Sequence, residues 1–309
     1  MTRARHPLPT DLVALVSFDG RVYLNQAKPW DRLGLDERAR PLETALEQWF
    51  SFATGKHTWV NVRGATIRGL ISARRRAKRP VWEVEMLIDA DQDKAIVSAL
   101  FSRMVGGVGK RGAERVFVRL EAGSPIIRAA RDAGFFAYQE ETLYRLEKRP
   151  QAAGQPLHLR PRDKGDALGI FQLYCREVPA NVRAIEGMTL REWQAAQESW
   201  GGRYRDLVLE EDGVITAWVR LLAGQVGRMT AICGSENYAK DEVLLAGALE
   251  LGDFHRLLTL APSHDPGLAL ALKRLGFQPV GDYVLMAKRL ARPAQELVRE
   301  TSSNAVPVN

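Results

Sequence analysis

The chain has 309 residues, is 46% hydrophobic and 26% charged, and carries a net charge of +7. That make-up suits a water-soluble globular protein long enough for two cores. It excludes a membrane-spanning chain, because no uninterrupted apolar run approaches the ~18 residues such a helix needs. The basic residues at the start are not followed by an apolar stretch, so no secretory signal is expected. Cys175 and Cys233 have no metal-ligand spacing and cannot form a disulfide framework, which points to a reducing, cytoplasmic setting.

In chain order, Asp11 can cap a short apolar helix over Leu12 to Phe18, which Asp19-Gly20 breaks. Residues 25–41 contain Pro29, Gly34 and Pro41 and read as a loop or lid. Leu42 to Ala53 has helical spacing, and Trp59–Arg63 and Ile67–Ile71 read as strands. The run Arg74-Arg75-Arg76-Ala77-Lys78-Arg79 is the densest charge cluster and reads as a solvated hairpin turn or as a contact for an acidic substrate or phosphates. It carries no interleaved aromatic residue, so a nucleic-acid partner is not expected. Val81 to Ile88 alternates as a strand. An acidic turn follows, Lys94 to Met104 has helical spacing, Arg115 to Leu120 is a strand, and Pro125 to Ala133 is a helix closed by Gly134-Phe135. Ala137 to Leu146 is expected to end the unit as an edge strand.

Arg149 to Pro156 has the proline and glycine content of a linker. After it the order repeats. Pro161-Arg162-Asp163 precedes an apolar helix as Pro9-Thr10-Asp11 does, Ala248-Leu249 matches Ala99-Leu100, and Gly276-Phe277 matches Gly134-Phe135. The spacing between matched positions shrinks steadily along the chain, as loop insertions and deletions would make it in a duplicated domain. Asp206–Glu210 and Ile215–Leu222 form a hairpin around Asp212-Gly213.

Strand, helix, strand, helix and a Gly-Phe step into a last strand resembles the core order of the GNAT acyltransferases. The resemblance implies an α/β (α+β, mixed-sheet) fold of two tandem GNAT-like domains, 1–148 and 157–291, with a linker at 149–156 and a tail at 292–309. It also implies an acyl-CoA-dependent N-acyltransferase that moves an acetyl group from acetyl-CoA to a small-molecule amine, with at most one unit active. The competing class is a non-catalytic binding or scaffold protein that kept the fold.

In that family the strand before the central helix splays from its neighbour and admits the pantetheine arm, and the helix N-terminus receives the pyrophosphate. By the resemblance this assigns Met86, Leu87 and Ile88 to the cleft, and Gln92, Asp93, Lys94, Ala95, Ile96 and Val97 to the phosphate turn. Gln92 fits the family pattern there, while Ala95 and Val97 stand where it has small residues. The second unit supplies Asp241 and Glu242 with only Ala246 fitting, so the first unit is the expected binder. The acidic residues of both turns also allow a self-capped helix that needs no ligand.

Glu83 and Glu85 lie two apart on the predicted strand and share a face. The resemblance implies a general base there, Glu85 or Glu83; a solvated face is the alternative. The family's thiolate-protonating tyrosine is replaced by Ala130 and Leu272. Tyr138 and Tyr144 could substitute for it or be structural. The family's substrate loop corresponds to Pro179–Met188, with Arg183 and Glu186 as its polar candidates, unless that loop packs against the other unit instead.

Overall fold

Alternation and helical spacing translate directly into elements here. The computed structural model describes residues 3–11, 14, 23–34, 38–39, 55–64, 66–76, 80–148, 159–198, 200, 202, 204–234 and 238–291. Apart from Ala14, the helix expected at 12–18 lies outside the described residues, as do the helix expected at 42–53, the linker and the tail. The first half contains strands β1 (Arg3–Arg5), β2 (Tyr23–Leu24), β3 (Arg38–Ala39), β4 (Lys56–Arg63), β5 (Thr66–Arg75) and β6 (Val81–Asp89). Helix α1 (Lys94–Gly109), β7 (Arg115–Glu121), α2 (Ile126–Asp132) and β8 (Phe136–Leu146) complete it. The second half runs β9 (Arg160–Pro161), α3 (Ala167–Glu177), α4 (Ala180–Glu186), α5 (Leu190–Ala196), β10 (Tyr204–Glu211) and β11 (Val214–Leu222). It continues with β12 (Gly224–Cys233), α6 (Tyr238–Glu250), β13 (Phe254–Pro262), α7 (Pro266–Arg274) and β14 (Gln278–Arg289).

One twelve-stranded mixed sheet joins both halves, in the order β1-β4-β5-β6-β7-β14-β8-β13-β12-β11-β10-β9. Its two wings repeat each other: β6–β7 and β12–β13 are parallel pairs at matching places, and the pairs outside them are antiparallel. The expectation that β8 is an edge strand is corrected. It lies at the centre of the sheet, paired antiparallel to β13 on one side and β14 on the other. β14 in turn pairs with β7 of the first half. Each half therefore completes its sheet with the other's last strand.

Two apolar cores sit under the wings. On α1, Leu100, Phe101, Met104 and Val108 face the sheet and pack with Ile71, Trp82 and Val116. Each such side chain contributes roughly 1.5–3 kcal/mol on burial. Helix and sheet approach closely at Gly107, where a Cβ would lie 2.4 Å from the Trp59 ring, so only glycine fits. Under the second wing α6 supplies Leu244, Leu245, Ala248 and Leu249, which pack with Leu257, Leu272 and Phe277. Among the described residues no helix is long and apolar enough to cross a membrane.

Candidate functional site

Parallel strands that separate leave unpaired backbone groups between them, and the two wings treat that gap differently. In the first wing β6 pairs with β7 only from Val81↔Arg115 to Glu83↔Phe117. Beyond that point Asn25 to Lys28 fills the gap. Gln26 N donates to Leu87 O at 2.8 Å, Lys28 N donates to Arg119 O at 2.9 Å, and Ala27 bridges Leu120. The Asn25 carboxamide donates to Glu85 O at 3.0 Å and accepts from Leu87 N at 2.9 Å. The backbone at Met86, Leu87 and Ile88, where the resemblance set the pantetheine arm, is thus already bonded to the chain itself, and all three side chains are buried. In this structure the place where the resemblance set the pantetheine arm in the first half is occupied by Asn25–Lys28.

The phosphate turn of the first half is self-contained as well. Asp93 caps α1 by accepting from Ala95 N at 2.8 Å, and Ile96 N and Val97 N both bond Asp93 O. Ile96 and Val97 turn into the core, while Gln92 and Lys94 are exposed. Gln92 has a φ of 54°, a left-handed conformation that closes the turn.

Glu83 and Glu85 share a face as expected, but that face is neither solvated nor free. Both are 2% exposed. Glu83 accepts from Arg76 at 2.9 Å and from Arg74 at 3.2 Å. Burial pushes its carboxyl up, but Arg76 and Arg74 outweigh that and hold it below the usual range. Glu85 accepts from Arg32 at 2.7 Å and Lys56 at 3.2 Å. A general base needs an open lone pair and a pKa near the working pH. Glu83 is pinned as an anion, and Glu85 Oε1 is taken by Arg32 and Lys56, while Glu85 Oε2 is buried without a hydrogen-bond partner. The basic run explains itself at the same time: Arg74 and Arg76 are inward-facing ion partners, and Arg75 lies over the Trp82 ring at 5.4 Å. Residues 77–79 of that run lie outside the described residues.

In the second wing β12 and β13 pair from Gly224↔Phe254 to Met229↔Thr259 and then part. Here the gap opens into a cavity of about 170 Å³ at the junction of the halves. Thr230, Ala231 and Ile232 of β12 and Leu260 and Pro262 of β13 line it, with Tyr138 and Glu141 of β8 and Arg119 of β7. The far wall is α3 to α5, with Tyr174, Glu186, Trp193 and Glu198, together with Trp30, Trp200 and Trp218.

The segment expected as a substrate loop is largely helix α4. Gly187 then lets the chain pass α5, since a Cβ there would meet Trp193 N at 2.2 Å. Thr189 and Glu192 form a reciprocal capping box that fixes the start of α5. Of the two polar candidates, Arg183 does not line the cavity; it donates to Val178 O at 3.0 Å within its own helical turn. Glu186 lines the cavity. Tyr174 OH donates to it at 3.2 Å and Tyr138 OH at 3.4 Å. The same segment also packs on the first half, where Arg115 bonds Ile185 O and Glu186 O, each at 2.8 Å.

Around the cavity three carboxylates, Glu141, Glu186 and Glu198, face two guanidiniums, Arg76 and Arg119, and burial pushes Glu198 up as well. Arg76 and Arg119 meet Glu83, Glu141 and Glu198 in one buried network, with Arg119 bonded to Glu198 at 2.7 Å and to Glu141 at 3.0 Å. Glu186 has hydroxyl partners but, among the described residues, no cation within ion-pair distance. Burial, followed by the charge of Glu141, pushes it up to about 7. Burial likewise pushes both tyrosine hydroxyls above their usual range, so they remain donors. Tyr138 is brought into the site, whereas Tyr144 is 4% exposed and belongs to the second core.

Tyr174, Glu141, Glu198 and the tryptophan wall were not evident from the sequence. Three of the chain's seven tryptophans lie between Trp193 and Trp218, and that density was the available signal. The rings stand close, Tyr174 and Trp193 at 5.4 Å and Trp193 and Trp218 at 6.3 Å between centroids. Such a wall attracts a cation.

At the start of α6, Asp241 is 4% exposed, and burial, then Asp265 and Glu177, push it up to about 6. Residues 235–237, just before this helix, lie outside the described residues.

No known family profile and no curated protein matches this sequence. Solved structures do match. The chain is similar to a GCN5-related N-acetyltransferase from Sphaerobacter thermophilus, at 16% identity and a TM-score of 0.58, over 94% of this chain and 96% of that one. It is also similar to a tandem GNAT protein from the clavulanic acid biosynthesis pathway, at 13% identity and a TM-score of 0.52, over 94% and 98%. The chain has the GNAT fold over nearly its whole length, and the likeness at these identities is one of fold.

Proposed function

We propose that this protein is an acyl-CoA-dependent N-acyltransferase whose working cleft lies in the second half, 157–291, while the first half, 1–148, is a structural copy. The observation that carries this reading is the open separation of β12 and β13 onto a cavity holding Glu186, against a first-half gap filled by Asn25–Lys28. The free edge of β12 from Thr230 to Ile232 would hold the pantetheine arm by backbone hydrogen bonds, as Asn25 and Gln26 are held by β6. Of the two acidic groups at the start of α6, Asp241 is turned inward and Glu242 lies 3.6 Å from Arg274.

The acceptor in this reading is a small amine. Its ammonium form is drawn in by the tryptophan and tyrosine rings and by the carboxylate of Glu186. Glu186 removes one proton from it, since a carboxyl titrating near neutrality matches that task. The freed amine attacks the thioester carbonyl, an N–C bond forms, the C–S bond breaks, and the thiolate leaves to be protonated. The products are an amide and free CoA. Tyr138 and Tyr174 orient Glu186, and Tyr138 on the central strand β8 is placed to give the thiolate its proton and to recover the second proton that the nitrogen loses as the amide forms. Acetyl-CoA is the donor to try first.

Calorimetric titration of the full chain with acetyl-CoA tests this directly. Micromolar binding that Ala231→Trp weakens about tenfold or more and Leu87→Ala leaves intact supports it. No heat with the wild type, where a known GNAT enzyme responds, leaves the non-catalytic scaffold as the better reading.

A further inference from the structure

The cavity at Glu186 abuts a second one of about 350 Å³. Trp193, Gln197, Glu198, Trp200 and Trp218 line both. The far wall of the second cavity is cationic. Arg162 and Arg220 line it and share a single carboxylate, Asp206, that does not. Arg220 grips Asp206 in a fork, Nε to Oδ1 at 2.7 Å and Nη2 to Oδ2 at 2.9 Å, while Arg162 Nη1 reaches Oδ2 at 3.2 Å.

That sharing leaves donors over. Arg162 Nε is buried without a hydrogen-bond partner, and Arg220 Nη1 makes no hydrogen bond among the described residues. A buried donor without a partner is destabilising, and a bound acceptor atom would satisfy it. Arg220 is also held in place: its guanidinium lies 4.4 Å from the Tyr204 ring, 5.1 Å from Trp218 and 5.7 Å from Trp200. Rigid, stacked guanidiniums with spare N–H groups are suited to a planar carboxylate. Glu198, the carboxylate that lines this cavity, is spoken for by Arg76 and Arg119.

One end of the joined space thus presents a carboxyl with no cation partner among the described residues, Glu186, and the other presents two guanidiniums with donors to spare. We propose that the acceptor is an amino-carboxylic acid, with its amine at Glu186 and its carboxylate on Arg162 and Arg220. This rests on the acyl-transfer reading for the identity of the amine end, but the carboxylate end stands on its own geometry.

Matched pairs that differ only by the carboxylate test it: lysine and cadaverine, phenylalanine and phenethylamine, tryptophan and tryptamine. Each is added to the full chain in a thermal-shift series, and each is assayed with acetyl-CoA for thiol release. In at least one pair the acid should bind or turn over at tenfold lower concentration than its decarboxylated partner. Arg162→Gln, at a side chain 26% exposed, should erase most of that preference, while Glu186→Gln, compared by thermal shift alone, leaves the binding preference in place. Arg220→Gln should act in the same direction if it folds. Equal or better binding of the decarboxylated member in every pair, no binding of any member, or an acid preference unmoved by Arg162→Gln overturns the proposal. If acetyl-CoA fails to bind while an acid still binds through Arg162, the acyl-transfer reading falls and the carboxylate site remains. Turnover confined to the decarboxylated amines keeps acyl transfer and removes the carboxylate site.

Discussion

The two wings of the sheet carry the same separated strand pair and use it in opposite ways. In the first, Asn25–Lys28 lies between β6 and β7 and satisfies the backbone that the separation exposes. In the second, the same kind of opening is left to a cavity with an isolated, raised carboxyl. Buried backbone groups must be paired with something, so a duplicated binding cleft has two stable fates: keep its ligand, or acquire a piece of chain that makes the ligand's hydrogen bonds.

The sharpest way to break that comparison is at Glu186. Glu186→Gln should lower kcat by roughly 100-fold or more with little change in acetyl-CoA affinity, as removal of a general base does. The wild-type kcat/KM should rise with pH through about 7, and the variant should lose that limb. A variant within twofold of wild type would remove Glu186 from the chemistry.

Next in size is the effect of filling the open gap. Ala231→Trp should weaken acetyl-CoA binding by about tenfold or more, roughly 1.4 kcal/mol, while circular dichroism stays native. Equal loss from a substitution in the first gap, and none here, would return the cleft to the first half.

The filled gap should answer to stability instead. Asn25→Ala strands Leu87 N–H and Glu85 C=O, and should cost roughly 1–3 kcal/mol, a fall of a few degrees in Tm, with acetyl-CoA affinity unchanged. A gain of acetyl-CoA binding in this variant would show that the segment is a displaceable plug.

The smallest effect is on stability against pH. The folded state holds the Glu186 proton up to about 7, whereas the unfolded chain gives it up in the ordinary carboxylate range. Glu186 therefore contributes stability that is present at low pH and lost as pH rises toward 7. Chemical denaturation at several pH values should show this slope in wild type and a flatter one in Glu186→Gln.

The fold was largely legible because it is written in local periodicity: β6, α1, β7 and α2 follow the alternation and helical spacing of Val81 to Ala133. So was one member of the site, Glu186, through the position of its loop. The surroundings of Glu83 and Glu85 were not legible, because sequence spacing places two carboxylates on one face but does not say what stands opposite. Their partners come from Arg32, Lys56, Arg74 and Arg76, and the first two lie on separate segments. The filling of the first gap was illegible for the same reason: Asn25 reaches Leu87 across 62 positions, and nothing in either segment announces the other.

The exchange of last strands sets the timetable of synthesis. β7 cannot gain its second neighbour until β14 has been made, because Arg115 pairs with Arg289 near the end of the described chain. A nascent first half must leave the ribosome with one flank of its sheet bare, for as long as the second half takes to emerge. Such a delay exposes an unpaired strand edge to other chains. Neither half is a natural unit for truncation, and a chain cut between them should yield fragments that recover structure only when mixed.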